Sequence, residues 1–254
     1  MIAATTTPTP VDDQFTSADW GLFLSVAGIW GASFLFIDIG LDALPPGVIT
    51  LMRVGLGAVA LVVLPRQRTR IRPEDRLRLV TLSMVWVAIP FTLFPIAEQH
   101  ITSAVAGLLN GGTPIFAAIF AMVLLRQPTR GAQLLGIAVG FVGVVFVSLP
   151  SIGEGSSETG DASWELGPVV AVAVLGVVGT GIAFALMGTL VGRVGSTRAS
   201  FITYLIPVVA LGLGVTFRDD EVFLLELVGV AFVISGAFLA SRPTAVRSAR
   251  GGSR

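Results

Sequence analysis

The sequence contains no cysteine, no lysine and only one histidine among its 254 residues. Without cysteine the chain can form neither a disulfide nor a metal–thiolate site, and His100 alone cannot bind a metal ion. We therefore expect no metal and no redox chemistry. Charged residues are also scarce, at 13%, whereas 54% of the residues are hydrophobic. This balance excludes an ordinary water-soluble domain and predicts a membrane protein.

Apolar runs of about 20 residues recur along the chain, which is the length that crosses roughly 30 Å of hydrocarbon as a helix. Charges collect between the runs, and apolar and polar residues do not alternate within them, so helices are favoured over barrel strands. A soluble helical bundle would need polar outer faces, which the runs lack. We predict an all-α membrane protein of about eight transmembrane helices, with spans at residues 20–41, 46–64, 77–97, 104–125, 131–149, 167–191, 199–217 and 223–240.

Arginine indicates how the chain crosses the membrane. Arginines follow the second, fourth, sixth and eighth spans, while the other connections are mainly acidic. Because cytoplasmic loops are enriched in basic residues, we place the basic connections and both termini in the cytoplasm of an inner-membrane protein. The arginines of these connections are Arg66, Arg68, Arg70, Arg72, Arg76, Arg78, Arg126, Arg130, Arg193, Arg198, Arg242, Arg247, Arg250 and Arg254.

The stretch 103–150 recurs without a gap at 196–243, which is an offset of 93 positions. The turn near Arg126 is then cytoplasmic and its counterpart near Asp219 is external, so the two copies cross the membrane in opposite directions. Such inverted repeats are typical of secondary transporters, whose site lies where the copies meet. Matching pairs include Ser103 with Ser196, Ala106 with Ala199, Pro114 with Pro207, Gly136 with Gly229, Gly143 with Gly236, Pro150 with Pro243, and Phe91 with Phe184.

The two copies differ in length. We predict a five-helix first half at 20–149 and a three-helix second half at 167–241, joined by an external acidic loop at 150–166. A Thr- and Pro-rich tail at 1–19, which we expect to be disordered, precedes them, and a basic cytoplasmic tail at 242–254 follows.

These features together resemble the EamA family of the drug/metabolite transporter superfamily. The resemblance implies ten helices in two inverted five-helix repeats around a central substrate pathway, and transport of small metabolites by ion gradients or exchange. The present chain would be shortened by about two helices in the second repeat. The residues that carry the resemblance are WGASFLFIDIGL (30–41), Pro45, Pro46, Arg53, ITSAVAGLLNGGTPIF (101–116), GTGIAF (179–184) and VGSTRASFITYLIPVVA (194–210).

We therefore expect a permease that exports small organic metabolites or drugs by alternating access. We expect it to be no enzyme and to have no cofactor and no nucleic-acid partner, because the sequence has no phosphate loop, zinc spacing or paired nucleophile and histidine. The alternatives are a scaffold-like or transport-defective membrane protein, and a membrane enzyme acting on lipids, for which clustered interfacial acids or histidines are missing. A face left bare by the missing helices predicts a homodimer.

Arg53 is the candidate anchor for substrate. It lies about seven residues into its span, roughly 10 Å deep, where a charge costs at least ~2.5 kcal/mol unless it is paired or hydrated. It either binds an anionic substrate or forms a structural ion pair with Asp38 or Glu98. Asp38 itself is interpreted as a hydrated interfacial acid or as a carrier of a coupling proton.

Two helix interruptions at corresponding positions of the copies form a second candidate. One contains Asn110, Thr113 and the helix-breaking Pro114. The other contains Thr203, Tyr204 and the helix-breaking Pro207. Paired interrupted helices indicate a transport site, although prolines also kink helices for packing.

Three further residues complete the candidate substrate site. Trp30 and Ser33 share one face of the first span, and Trp86 lies in the middle of the third, where the interfacial aromatic belt does not account for it. Each either lines a cavity or packs in the core. Gly136, Gly140 and Gly143 form a small-residue stripe that predicts a contact between helices.

Overall fold

A computed structural model describes residues 15–64, 72–113, 115–116, 119, 132–149, 163–221 and 223–240 of the chain. Their ordered elements are helical, and no strand occurs among them. The helices are α1 (Ser17–Leu41), α2 (Pro46–Val63), α3 (Pro73–Glu98), α4 (Ser103–Asn110), α5 (Ala132–Ser148), α6 (Leu166–Val194), α7 (Ile202–Phe217) and α8 (Leu224–Ala240), with a short turn Ser196–Ala199 before α7.

The helices agree with an all-α membrane protein of about eight spans. Helices α1, α2, α3 and α6 are each long and apolar enough to cross a membrane. Shorter apolar helices cover Leu134–Val147, Ile202–Phe217 and Leu224–Gly236. The part of the fourth predicted span beyond Asn110 falls largely outside the described residues.

Helix α1 is the central element of the fold. It begins at Ser17, where the Thr16 side chain accepts a hydrogen bond from the Asp19 amide and Asp19 in turn accepts one from the Thr16 amide, forming a capping box. Residues of α1, including Phe23, Val26 and Phe34, form a buried cluster with Ile206 and other residues of α6 and α7. Residues Ser17–Asp19, which we assigned to the tail at 1–19, belong to α1. Residues 1–14, 150–162 and 242–254, which include the rest of the expected tails and most of the expected loop, lie outside the described residues.

Two long helices share an unusual feature at one repeat position. Helix α3 widens into a π-turn at Met84–Ala88, and α6 does so at Val177–Ile182. The two π-turns begin 93 positions apart, and so do the starts of α3 at Pro73 and α6 at Leu166. π-turns are rare, so their coincidence supports the duplication.

The contact between α5 and α8 shows how the two copies are related. A methyl group on Gly143 would stand 2.6 Å from the carbonyl oxygen of Gly229, and one on Gly236 would stand 2.6 Å from that of Gly136. The offset of 93 exchanges these two contacts, which is the signature of a local two-fold axis. Gly136 of α5 contacts Gly236 of α8, and Gly143, later in α5, contacts Gly229, earlier in α8. The two helices are therefore antiparallel. The predicted glycine stripe is thus confirmed as a helix contact.

Helices α3 and α6 correspond to each other in the repeat but are covered very differently. Helix α6 packs against both α1 and α2, and 44% of its span is buried, compared with 11% for α3. The partners that α3 would need by the same symmetry are second copies of α1 and α2. No such copies occur among the described helices, so the outer side of α3 is exposed within this part of the chain.

Candidate functional site

The candidate site lies where α1, α2, α3 and α6 meet. Arg53 of α2 is buried, with 4% of its surface exposed, although a guanidinium is costly to bury. Its Nε donates a hydrogen bond to Thr180 Oγ1 at 3.2 Å. Its Cζ atom lies 3.8 Å from the centre of the Phe91 ring, which is a cation–π contact.

The close approach of α2 and α6 places Thr180 next to Arg53. A methyl group on Gly57 would stand 2.8 Å from Thr180 Cβ, so only glycine at position 57 lets the helices meet at this distance. Thr180 lies within the π-turn of α6, and its hydroxyl donates to the carbonyl of Leu175 at 3.4 Å. The π-turn and Gly57 together therefore determine the position of Thr180, the hydrogen-bond partner of Arg53.

Aromatic rings form one wall of the site. The Trp30 and Phe184 rings meet edge to face at 5.8 Å between centres, and Phe184 lies 6.4 Å from Phe91. Ser33 is buried on the same side of α1, where its hydroxyl donates to Ile29 O at 3.1 Å. A methyl group on Gly179 would stand 3.2 Å from Ser33 Oγ. The structure therefore brings Trp30, Ser33 and Arg53 into one region.

Glu98, at the end of α3, is fully buried. Neither of its carboxylate oxygens, nor Nη1 of Arg53, has a hydrogen-bond partner among the residues that the structure describes. The structure shows no hydrogen bond between Glu98 and Arg53. Asp38, one of the two acids considered as a partner of Arg53, pairs with Arg218.

Arg218, just after α7, contacts acidic residues at the end of α1. Besides its contact with Asp38, it donates two hydrogen bonds of 2.9 Å to the carboxylate of Asp42. These bonds, with the charges of both acids, raise the pKa of Arg218 above its ordinary value. Asp38 is thus a buried, paired acid and not the hydrated interfacial one expected.

A second connection at the same end involves Asp220. Its carboxylate accepts hydrogen bonds from the Ser103 hydroxyl at 3.2 Å and from the Ala104 amide at 3.1 Å, at the start of α4. At the opposite end of α1, Arg193 of α6 pairs with Asp19. Helix α1 is therefore held by charged contacts at both ends.

The two segments that were predicted to interrupt helices form a separate group. Helix α4 ends at Asn110, but the predicted break at Pro207 is wrong, because Pro207 lies inside the continuous helix α7. A methyl group on Gly111 would stand 2.6 Å from Pro207 Cγ, so these segments pack directly on each other. The Thr113 hydroxyl donates to Asn110 O at 2.6 Å, and the Thr203 hydroxyl donates to Ser200 O at 2.5 Å. Tyr204 packs on the cluster of Ile115 and Val233. Pro114 lies outside the described residues.

Trp86 lies apart from both groups, because its side chain is 64% exposed on α3. Its counterpart in the repeat is Gly179, which faces Ser33 of α1. Trp86 therefore lies where the repeat would place a second copy of α1, and none of the described helices occupies that position.

Sequence reasoning did not single out Thr180, Phe91 or Phe184 as site residues. The available signal was the match of Phe91 with Phe184 at the repeat offset. The structure places the Phe91 ring beside Arg53 and the Phe184 ring beside Trp30. The contact with Thr180 depends on the crossing of α2 and α6, which the sequence does not reveal.

Comparisons with known proteins agree with this architecture. The sequence profile of the EamA-like transporter family matches residues 19–149 and 152–242. The chain is 26% identical to an uncharacterized transporter of Archaeoglobus fulgidus over 52% of its own length and 48% of the relative's. It is 30% identical to an S-adenosylmethionine/S-adenosylhomocysteine transporter of Chlamydia muridarum, over 58% of its own length and 46% of the relative's.

A third relative is the uncharacterized inner membrane transporter YedA of Escherichia coli K12, which is 24% identical over 51% of this chain and 43% of its own length. The chain therefore matches these curated relatives over about half of their length. No solved structure shows significant similarity to it.

Proposed function

The chain belongs to the EamA-like transporter family, and we propose that it is a permease that carries small organic metabolites or drugs outward across the inner membrane. The observation that carries the proposal is Arg53, a buried cation only partly satisfied by its neighbours. Charged groups inside membrane proteins mark substrate or ion pathways. Arg53 binds the substrate in this proposal, and Trp30 and Ser33 line the site beside it.

Alternating access is the mechanism that we propose for this permease. The contacts of Arg218 with Asp38 and Asp42 close one end of the site. The contact of Arg193 with Asp19 holds α1 at the other end. In an inverted repeat the two ends are built from equivalent elements, so opening one while the other stays closed moves substrate across. The positive-inside pattern supports a cytoplasmic location of the Arg193 end and of both termini in this proposal.

Transport is tested with the purified chain in proteoliposomes, offered a panel of radiolabelled metabolites that includes S-adenosylmethionine, because one relative is named for it. We expect flux above that of protein-free vesicles, and an approximately tenfold loss, about 1.4 kcal/mol, in Arg53→Ala. The matched control is Arg78→Ala, since the Arg78 side chain is 86% exposed.

Equal flux from Arg53→Ala and the unchanged chain would contradict the assigned role of Arg53. Loss of flux in proportion to the loss of folded protein would mean that Arg53 is only structural. Absence of flux for the whole panel would favour the alternative, a membrane protein that acts as a scaffold.

The bare side of α3 favours a homodimer, which is compatible with either function. Trp86, Val85 and Leu82 are exposed apolar residues on this helix. Because the chain has no cysteine, a single Trp86→Cys variant reports on the contact directly. We expect oxidation in native membranes to crosslink Trp86→Cys into dimers, and Phe141→Cys, which is also exposed but lies on α5, to stay monomeric. Monomers alone from both variants would contradict a dimer through α3.

A further inference from the structure

One short segment joins three helices at the end of the protein where Arg218 lies. Arg218 donates two hydrogen bonds of 2.9 Å to the Asp42 carboxylate and pairs with Asp38, and these contacts hold the end of α1. Two residues later, the Asp220 carboxylate accepts two hydrogen bonds at the start of α4. The segment itself follows directly on α7. We call residues 218–220 the outer clasp, because they tie α1 and α4 to α7.

The backbone of the outer clasp has an unusual conformation. Asp219 has a φ of 54°, and it is the one residue other than glycine with a positive φ in the described part of the chain. The amides of Arg218 and Asp220 both donate to the carbonyl oxygen of Gly214, at 2.9 and 3.3 Å. This pattern is a Schellman-type helix end, whose left-handed position is most often occupied by glycine. Because aspartate occupies that position here, the closed clasp has a backbone cost that a relaxed turn would not have.

The Asp220 carboxylate also depends on close packing between α4 and α7. A methyl group on Gly214 would stand 3.0 Å from Ala104 Cβ and would clash with Asp220 Oδ2. Space for the carboxylate at the start of α4 therefore exists because residue 214 is a glycine.

The charged contacts of the outer clasp lie close to water. The Arg218 side chain is 27% exposed and the Asp42 side chain is 43% exposed. Ion pairs at this level of exposure contribute little to stability, so they can break and re-form without unfolding the helices that they join. Such contacts are suited to a reversible closure.

We propose that the outer clasp is the external gate of the pathway, and that it opens when Asp219 leaves its left-handed conformation. This inference rests on the proposed transport function and names the element that regulates access to that site. Arg218 and Asp220 lie on either side of Asp219, so a change of its φ redirects both side chains and releases α1 and α4 together. Helix α1 carries Trp30 and Ser33 of the site, so its release opens the site to the outside.

Because the chain has no cysteine, a single introduced thiol reports on opening of the gate without any substrate. A Ser33→Cys reporter places this thiol in the buried site. A buried thiol reacts slowly, since the reactive thiolate is disfavoured in apolar surroundings. The rate at which a membrane-impermeant methanethiosulfonate labels the thiol from outside intact cells therefore measures how often the gate is open.

Two substitutions in the reporter chain should change this rate in opposite directions. Asp220→Ala removes the hydrogen bonds of a charged group to α4, so we expect labelling to be about tenfold faster. Asp219→Gly removes the backbone cost of the closed clasp, so we expect labelling to be about fivefold slower. Misfolding would make labelling faster in each variant, so opposite changes separate gating from a folding defect.

Three further variants provide the controls. Gly214→Ala displaces the Asp220 carboxylate and should act like Asp220→Ala. Gly212→Ala lies on the same helix, where a methyl group meets nothing within 4 Å, and it should leave the labelling rate unchanged. Arg193→Ala weakens the contact at the other end of α1, so we expect slower labelling from outside, because the outer end stays closed while the other end is open.

Either of two results would overturn the proposal. Equal labelling of Asp220→Ala and the unchanged clasp would mean that the clasp does not close the pathway. Unchanged or faster labelling of Asp219→Gly would mean that the left-handed conformation does not favour opening. If either result came from a chain that carries a metabolite in proteoliposomes, the gate would be rejected and the transport proposal would stand. The expected rate changes in a chain without flux would support the clasp as a movable closure and reject the permease.

Discussion

Arg53 is held in the apolar region by two weak contacts. A charge near the middle of a span costs about 2.5 kcal/mol or more. The cation–π contact with Phe91 offsets about 2 kcal/mol when it is desolvated, and the hydrogen bond to Thr180 contributes a similar amount. The guanidinium is thus held in place although Nη1 has no hydrogen-bond partner among the described residues.

We predict that Thr180→Val destabilises the folded protein by about 2 kcal/mol, because the change keeps the side-chain volume and removes the hydrogen bond to a charged group. The measurement is equilibrium unfolding in mixed detergent micelles. The control is Thr189→Val on the same helix, whose exposed hydroxyl donates only to Ala185 O. Equal effects of the two changes would show that Thr180 does not hold Arg53.

At the residue scale the sequence identifies charges better than it identifies their partners. Arg53 is recognisable because it interrupts an apolar run. The pairing of Asp38 with Arg218 was not foreseen, since Arg218 follows a helix far along the chain and is next to acidic residues. The exposure of Trp86 on α3 was not foreseen either, because it depends on which helices pack against α3.

Helices α5 and α8 show how the repeat is assembled at the element scale. Their glycines let the two backbones approach until Gly143 and Gly229 are in contact, and Gly236 and Gly136 form the equivalent contact. Without a hydrophobic driving force between helices in lipid, such close packing is a main source of their association.

We predict that Gly143→Ala destabilises the protein by about 2 kcal/mol, because the added methyl group would have to displace backbone atoms of α8. Gly188→Ala on α6 is the matched control. A methyl group there meets nothing within 4 Å, and alanine favours a helix by about 1 kcal/mol over glycine. Thermal unfolding of both variants in detergent gives the comparison. A stabilised Gly143→Ala would contradict the close contact.

Helix positions followed closely from the sequence, because spans are set by hydropathy and by charge. The predicted span at 131–149 corresponds to Ala132–Ser148, and the span at 223–240 corresponds to Leu224–Ala240. The π-turns of α3 and α6 could not be predicted, because one extra residue in a helical turn leaves the apolar pattern of a buried span unchanged. Yet Thr180 reaches Arg53 from within such a turn.

The described helices fit an incomplete pair of repeats, which is the organisation that we propose for the whole molecule. Helix α6 packs against α1 and α2, whereas its counterpart α3 has a bare outer side. Gly179 and Trp86 occupy equivalent positions, one against Ser33 and the other on the surface. Because α6 is covered by α1 and α2 and α3 has no equivalent cover, the site lies beside α6 and the outer side of α3 is exposed.

If the second half is an inverted copy of the first, equivalent turns of the two halves lie on opposite sides of the membrane, and labelling from outside the cell distinguishes them. Pro128 and Glu221 are equivalent positions, 93 residues apart in a chain without cysteine. We predict that a membrane-impermeant maleimide labels Glu221→Cys in intact cells and labels Pro128→Cys only after the membrane is opened. Labelling of both variants from the same side would contradict the inverted repeat.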